Sequence, residues 1–153
     1  MYKRQGNVFF SLADRDKPTG IVAARHFAEL GFGIVATAGT AAVLRAEGVP
    51  VETVVGKLTD PDTGDTIDDV HQDAVDLLES GDVHLVVNTP RGRGPRADGA
   101  HIRRTATVRG IPCLTTVAAA MAAAAGIAEW SAMEAHVAPL QEYHRDGQMR
   151  LEV

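Results

Sequence analysis

The chain has 153 residues, of which 45% are hydrophobic and 23% charged, and this composition is typical of one globular domain with a real core. Its formal net charge of -5 argues against a protein that mainly holds a phosphate polymer, although a few local cations can still bind a small anion. Cys113 is the single cysteine, which excludes a disulfide framework and a cysteine-rich metal site. Residues 1–20 lack the apolar core of a signal peptide, and the longest apolar tract, residues 117–130, is too short and alanine-rich to span a bilayer, so we expect a soluble, cytoplasmic protein.

In the first third of the chain, short apolar runs alternate with segments of helical period. NVFFSL, residues 7–12, predicts a strand, and Pro18 at a first helical turn opens a helix that runs to Leu30. A second strand over 33–37 leads into a short helix over 40–47, for which Thr40 is a suitable N-cap residue. Residues 51–55 predict the third strand.

The same alternation continues to the alanine-rich tract. Residues 67–80 predict a helix, 84–89 a strand covered on both faces, 101–109 a helix and 111–117 the fifth strand, before a closely packed helix over 118–128. Strands that alternate with helices favour parallel pairing with helical crossovers. The sequence therefore predicts a three-layer α/β fold with a five-stranded, mainly parallel sheet and helices on both faces.

Ligands of such sheets bind at the carboxyl ends of the strands, and polar residues follow several of these ends. Each of them alone is explained by a solvated loop charge, a helix cap or a turn, but together they would converge on one rim. Two ammonium groups, two helix starts and several hydroxyls suit a phosphate monoester. The residues are Lys17, Thr37, Thr40, Lys57, Asn88 and Thr89.

Six ordered segments carry a resemblance that covers nearly the whole chain. They are SLADRDK, ATAGTAAVL, VGK, VVNTPRG, IRRTA and CLTTV. The set resembles the C-terminal regulatory domain of the carbamoyl-phosphate synthase large subunit, a member of the methylglyoxal-synthase-like superfamily. The resemblance implies an allosteric domain that binds a nucleoside monophosphate of the UMP or IMP type and regulates carbamoyl phosphate synthesis for pyrimidine and arginine biosynthesis.

The resemblance also implies roles for particular residues. The effector phosphate would contact Lys17, Thr37, Gly39, Thr40 and Lys57. The ribose and base would contact Ser11, Asn88, Thr89, Asp98 and Ile102, and Thr115 would face an activator at the contact with the synthase body. Two departures from the family pattern bear on which nucleotide binds: Pro90 stands where relatives often have a second threonine, and the loop LTDPDTGDTIDDV is unusually acidic.

By the same resemblance, residues 1–6 are a connector from an upstream domain and residues 7–153 are the regulatory domain. The domain itself would be non-catalytic and need no cofactor or metal, whereas ATP and divalent metal ions would serve the rest of an ATP-dependent, glutamine-hydrolysing ligase. Its partners would be the remainder of the large subunit and the glutaminase small subunit, and contacts between copies of the chain stay open. Neither nucleic acid nor membrane is an expected partner.

A free-standing methylglyoxal synthase-like lyase, acting on dihydroxyacetone phosphate, is the alternative function. Asp65, Asp68, Asp69 and His71 lie in about the right loop for proton abstraction, but the GDQQ-type segment is absent, and acids before a helix more often interact with its dipole. The cyclohydrolase branch of purine synthesis is less favoured, because its lysine-rich segment after the third strand has no counterpart. The arginines of the loop and of the helix after it fit the rim of a mononucleotide site or a subunit contact better than a nucleic-acid surface; they are Arg91, Arg93, Arg96, Arg103 and Arg104.

Overall fold

The computed structural model describes residues 6–56, 74–90 and 98–133, with Asp98 described by its backbone alone. Strands and helices alternate along these ranges, and a short 3-10 turn, Asp14–Asp16, precedes the first helix. The elements are β1 (Asn7–Ser11), α1 (Lys17–Glu29), β2 (Gly33–Thr37), α2 (Ala38–Ala46), β3 (Thr53–Val55), α3 (Ala74–Ser80), β4 (Leu85–Asn88), α4 (Asp98–Val108), β5 (Cys113–Leu114) and α5 (Val117–Ala132).

The five strands form one sheet in the order β3-β2-β1-β4-β5, and every pair is parallel. The first strand in sequence is therefore the central strand of the sheet. This arrangement confirms the predicted three-layer α/β fold and makes the sheet wholly, rather than mainly, parallel within the described residues.

Side chains that alternate along the central strands form two separate cores, one on each face of the sheet. On one face, Val8 and Phe10 of β1 pack with α1, α2 and α5. On the other face, Phe9 packs with α3 and α4. Both faces of β1 are buried because helices cover both, as is typical of parallel sheets.

The start of α2 differs from the sequence prediction. The helix begins at Ala38 with Thr37 in the N-cap position, whereas Thr40 was expected to be the cap. Thr40 instead lies in the first helical turn, where its hydroxyl is an acceptor for the backbone after β1. A tertiary hydrogen bond thus uses the group that local sequence reasoning assigned to helix capping.

Other predicted boundaries are close to those observed. The predicted strands over 51–55, 84–89 and 111–117 are shorter in the structure, because only residues 53–55, 85–88 and 113–114 pair with neighbouring strands. Gly31 and Gly48 follow α1 and α2 at φ 90° and 77°, conformations that favour glycine at a helix end. The first part of the helix predicted over 67–80, and residues 1–5 of the predicted connector, lie outside the described residues.

Candidate functional site

The candidate site lies at the carboxyl ends of β1 and β4, which are adjacent in the sheet. The chain continues from β1 through α1 to β2 on one side, and from β4 through α4 to β5 on the other. Such a reversal of direction leaves a crevice between the two strand ends, and open parallel sheets bind ligands there. Ser11 and Asn88 are register partners at this edge, so both predicted residues border the crevice.

Two buried threonine hydroxyls hold the backbone that follows β1. The N–H of Leu12 donates to Thr40 Oγ1 at 3.0 Å, and the N–H of Ala13 donates to Thr89 Oγ1 at 2.8 Å. A buried backbone N–H without an acceptor costs about 1–3 kcal/mol, so these bonds fix the path of the chain beside the crevice. The structure brings Thr40 and Thr89 together at one place and gives each a structural role that the sequence did not reveal.

The amino end of α2 points its first turn toward the same place. Thr37 is extended, at φ -64° and ψ 152°, and its side chain makes no capping hydrogen bond. Its hydroxyl donates instead to Thr40 Oγ1 at 3.2 Å. The first N–H groups of α2 are therefore not satisfied by their N-cap side chain, and such a helix start favours an anion through its N–H groups and its dipole.

Lys17 supplies a cation beside this helix start. A β-carbon built on Gly39 would lie 3.8 Å from Lys17 Nζ, so the lack of a side chain at Gly39 leaves the ammonium close to the first turn of α2. An ammonium at the positive end of a helix is unfavourable unless an anion accompanies it. Here Asp14 Oδ1 lies 2.6 Å from Nζ, in an ion pair whose lysine side chain is 17% exposed and whose aspartate side chain is 87% exposed.

Across the crevice, Asn88 is linked to an arginine of α4. Arg103 Nη1 donates to Asn88 Oδ1 at 2.7 Å, and Asn88 is 2% exposed. A β-carbon at Gly99, one turn earlier in α4, would come within 2.9 Å of Arg103 Nη1 and 3.1 Å of Asn88 Oδ1. The hydrogen bond therefore depends on the glycine at position 99.

Arg103 is a site residue that the sequence analysis names only as one of several arginines suited to a mononucleotide rim or a subunit contact. It belonged to an arginine-rich stretch, and its charge alone gave no specific role. A spacing of four residues places Gly99 and Arg103 on one face of α4, the next element after β4, and this spacing is the signal that could have identified the pair. Burial raises the pKa of the Cys113 thiol on neighbouring β5, and the nearby Arg103 guanidinium opposes that rise.

The structure describes only some of the remaining predicted site residues. Ile102 is 3% exposed and belongs to the core beneath β1 and β4, while Thr115 is exposed between β5 and α5. Asp98 begins α4, but its side chain lies outside the described residues. Also outside them are Lys57, the acidic loop with Asp65, Asp68, Asp69 and His71, and the loop arginines Arg91, Arg93 and Arg96.

In the part of the chain with described side chains, no three His, Cys, Asp or Glu residues form a group that could hold a metal ion. Within the same part of the chain, no helix has the length and apolar character needed to cross a membrane.

Comparison with known proteins extends these observations. The family model of the MGS-like domain matches residues 20–115. The chain is 48% identical over 122 residues to the carbamoyl phosphate synthase large chain of Rubrobacter xylanophilus. The aligned region covers 80% of this chain and 11% of that relative. The same-named proteins of Mycobacterium sp. strain JLS and Mycobacterium tuberculosis strain H37Rv are 41% and 42% identical over 143 and 142 residues, covering 93% and 92% of this chain. The chain spans only 12% of the length of each of those two relatives.

Proposed function

The chain belongs to the MGS-like domain family, and on that premise we propose that it is the allosteric, effector-binding domain of a carbamoyl phosphate synthase large chain. Its effector is a nucleoside monophosphate of the UMP or IMP type. One observation carries the proposal: the Lys17 ammonium lies beside the start of α2 at the crevice. The N-cap side chain of Thr37 leaves the first N–H groups of that helix uncapped.

A phosphate monoester fits this part of the crevice chemically. Its negative charge complements Lys17 and the positive end of α2, and its oxygens accept hydrogen bonds from backbone N–H groups. Thr37 and Thr40 line the same turn, Gly39 permits close approach of the phosphate to the backbone, and Lys57 adds a second cation. Asp14 now neutralises Lys17, so an incoming phosphate takes over that role and releases the aspartate.

The nucleoside part of the ligand extends toward β4. We assign the ribose to Asn88 and Thr89, and the hydrogen bond from Ala13, next to the phosphate-binding turn, to Thr89 supports this assignment. Ser11, Asp98 and Ile102 complete the ribose and base side of the site. The carboxylate of Asp98 suits a base N–H, which is a donor, better than it suits the phosphate.

Regulation requires the rest of a larger protein. An effector changes a distant activity only if it favours one of two arrangements of the whole, with a coupling free energy of typically about 1–3 kcal/mol. We place that activity, with its ATP, divalent metal ions and glutaminase small subunit, in other parts of a cytoplasmic synthase that makes carbamoyl phosphate for pyrimidine and arginine biosynthesis. Exposed Thr115, at the carboxyl end of β5, is the residue that we assign to the contact with the synthase body.

Calorimetric titration of the chain with UMP and with IMP tests the proposal. We expect Lys17→Ala to weaken binding of the nucleotide by roughly ten- to a hundredfold, because a hydrogen bond to a charged group contributes about 1.5–3 kcal/mol. Arg25→Ala is the matched control: it removes a cation from the same helix, but Arg25 bonds to the carbonyl of Glu47 at the other end of α2. If neither nucleotide binds the unmodified chain at millimolar concentration and low salt, the proposed function is rejected.

A further inference from the structure

We infer that Arg103 is a positioning residue, which fixes the Asn88 amide so that its NH2 group is the end presented to a ligand in the crevice. The inference rests on the proposed function and deepens it by naming the chemistry of the ligand group at this point. That group must be a hydrogen-bond acceptor, and we assign it to an oxygen of the ribose.

The argument begins with the chemistry of the two side chains. The two ends of an asparagine amide have nearly the same shape, so hydrogen bonding decides which end points where. A guanidinium group only donates, and the atom of Asn88 that lies 2.7 Å from Arg103 Nη1 must therefore be the carbonyl oxygen. The short distance is typical of a charge-assisted bond, which holds the amide in this orientation.

The orientation leaves the donor end of the amide for another partner. Among the described residues, the hydrogen bond to Arg103 is the one that the Asn88 side chain makes. The NH2 group is therefore the end of the amide that the hydrogen bond to Arg103 does not engage. A ligand oxygen in the crevice can accept from Nδ2, whereas a ligand donor at the same point would face two N–H groups and be repelled.

Gly99 provides a second way to disturb the same bond. A methyl group at position 99 would approach both Arg103 Nη1 and Asn88 Oδ1 more closely than ordinary contacts allow, at 2.9 and 3.1 Å. Asn88 is buried at the end of a central strand, so the flexible end of Arg103 is the group that would move. Gly99→Ala therefore displaces the guanidinium without removing its charge, and alanine is also favoured over glycine in a helix.

The test is calorimetric titration of the full 153-residue chain with UMP, with IMP and with inorganic phosphate. We expect Arg103→Met to weaken nucleotide binding about three- to tenfold, the range for losing one well-oriented hydrogen bond, and to leave the affinity for inorganic phosphate unchanged. Arg103→Lys retains a donor and should restore part of the loss. Gly99→Ala should reproduce the effect of Arg103→Met, whereas Gly126→Ala, at an open position of α5, should have none.

A double-mutant cycle separates positioning from direct contact. If Arg103 acts through Asn88, Arg103→Met causes no further loss of nucleotide affinity in an Asn88→Ala background. Additive losses would show that Arg103 contacts the ligand itself, and equal losses for nucleotide and inorganic phosphate would assign the acceptor to the phosphate; either result overturns the inference.

The outcomes for the proposed function and for this inference are distinct. Failure of the unmodified chain to bind either nucleotide rejects both. Normal nucleotide binding by the unmodified chain and by both Arg103→Met and Gly99→Ala rejects the positioning role alone. Circular dichroism and thermal melting establish that each variant is folded. If Arg103→Met does not fold, the two single variants Gly99→Ala and Arg103→Lys decide the question.

Discussion

Replacing Thr89 with valine tests whether its hydroxyl holds the backbone beside the crevice. Valine keeps the shape of threonine but removes the acceptor that lies 2.8 Å from the N–H of Ala13. Both residues are about 4% exposed, so water does not readily replace the lost partner. A buried N–H left without an acceptor costs about 1–3 kcal/mol, and we expect the free energy of unfolding to fall by that amount.

The assay is urea denaturation of the ligand-free chain, followed by far-UV circular dichroism, with thermal melting in parallel. The loss corresponds to a decrease in Tm of roughly 2–10 °C for a chain of this length. Thr107→Val is the matched control, because the Thr107 hydroxyl donates to the carbonyl of Arg103 on an exposed face of α4, where water can substitute. Equal stability of the two variants, within about 0.5 kcal/mol, would refute the structural role of the Thr89 hydroxyl.

Two further predictions concern charge and ionisation. Asp14→Asn should strengthen binding of UMP or IMP by up to about fivefold, because the exposed carboxylate competes with phosphate for Lys17 and an exposed ion pair contributes about 0.2–1 kcal/mol. Unchanged or weaker binding in calorimetry would contradict this prediction. The raised pKa of Cys113 means that the folded state keeps the neutral thiol after the unfolded chain has begun to ionise. The associated stability is present below the unfolded pKa of about 8.5 and is lost as pH rises through the folded pKa. In urea titrations between pH 7 and pH 10, the native chain should therefore lose more stability than Cys113→Ala, and parallel curves would show that the thiol does not contribute.

The fold could be predicted because the spacing of apolar residues and the positions of the glycines that end helices agree along the chain. The run 33–37 is a strand with the predicted bounds, and glycines at 31 and 48 stop the helices where expected. The strand order could not be obtained in this way, because the continuous apolar run over residues 8–10 predicts a buried strand without showing which strands flank it. Pairing of Ser11 with Asn88 is a long-range choice that local patterns do not contain.

The site could be predicted only in outline. Topology places polar residues after strand ends, and the structure brings the start of α2, Lys17 and Asn88 to the same edge of the sheet. Hydrogen bonds between distant segments were not predictable, because any of several acceptors could serve a given N–H. Thus the sequence offers Thr40 as a helix cap or a phosphate contact and Arg103 as one of several arginines, and it does not reveal their hydrogen bonds to Leu12 and Asn88.

The central position of β1 has a consequence for the order in which the molecule is completed during translation. Of the five described strands β1 is synthesised first, but it pairs with β4 much later in the chain, and the adjoining hydrogen bond joins Asn7 to His84, 77 positions away. Until β4 emerges, one edge of β1 remains open, and the face that carries Phe9 still lacks the cover of α4. We therefore expect the ligand crevice, which is bounded by β1 and β4, to be one of the last features of the nascent chain to form.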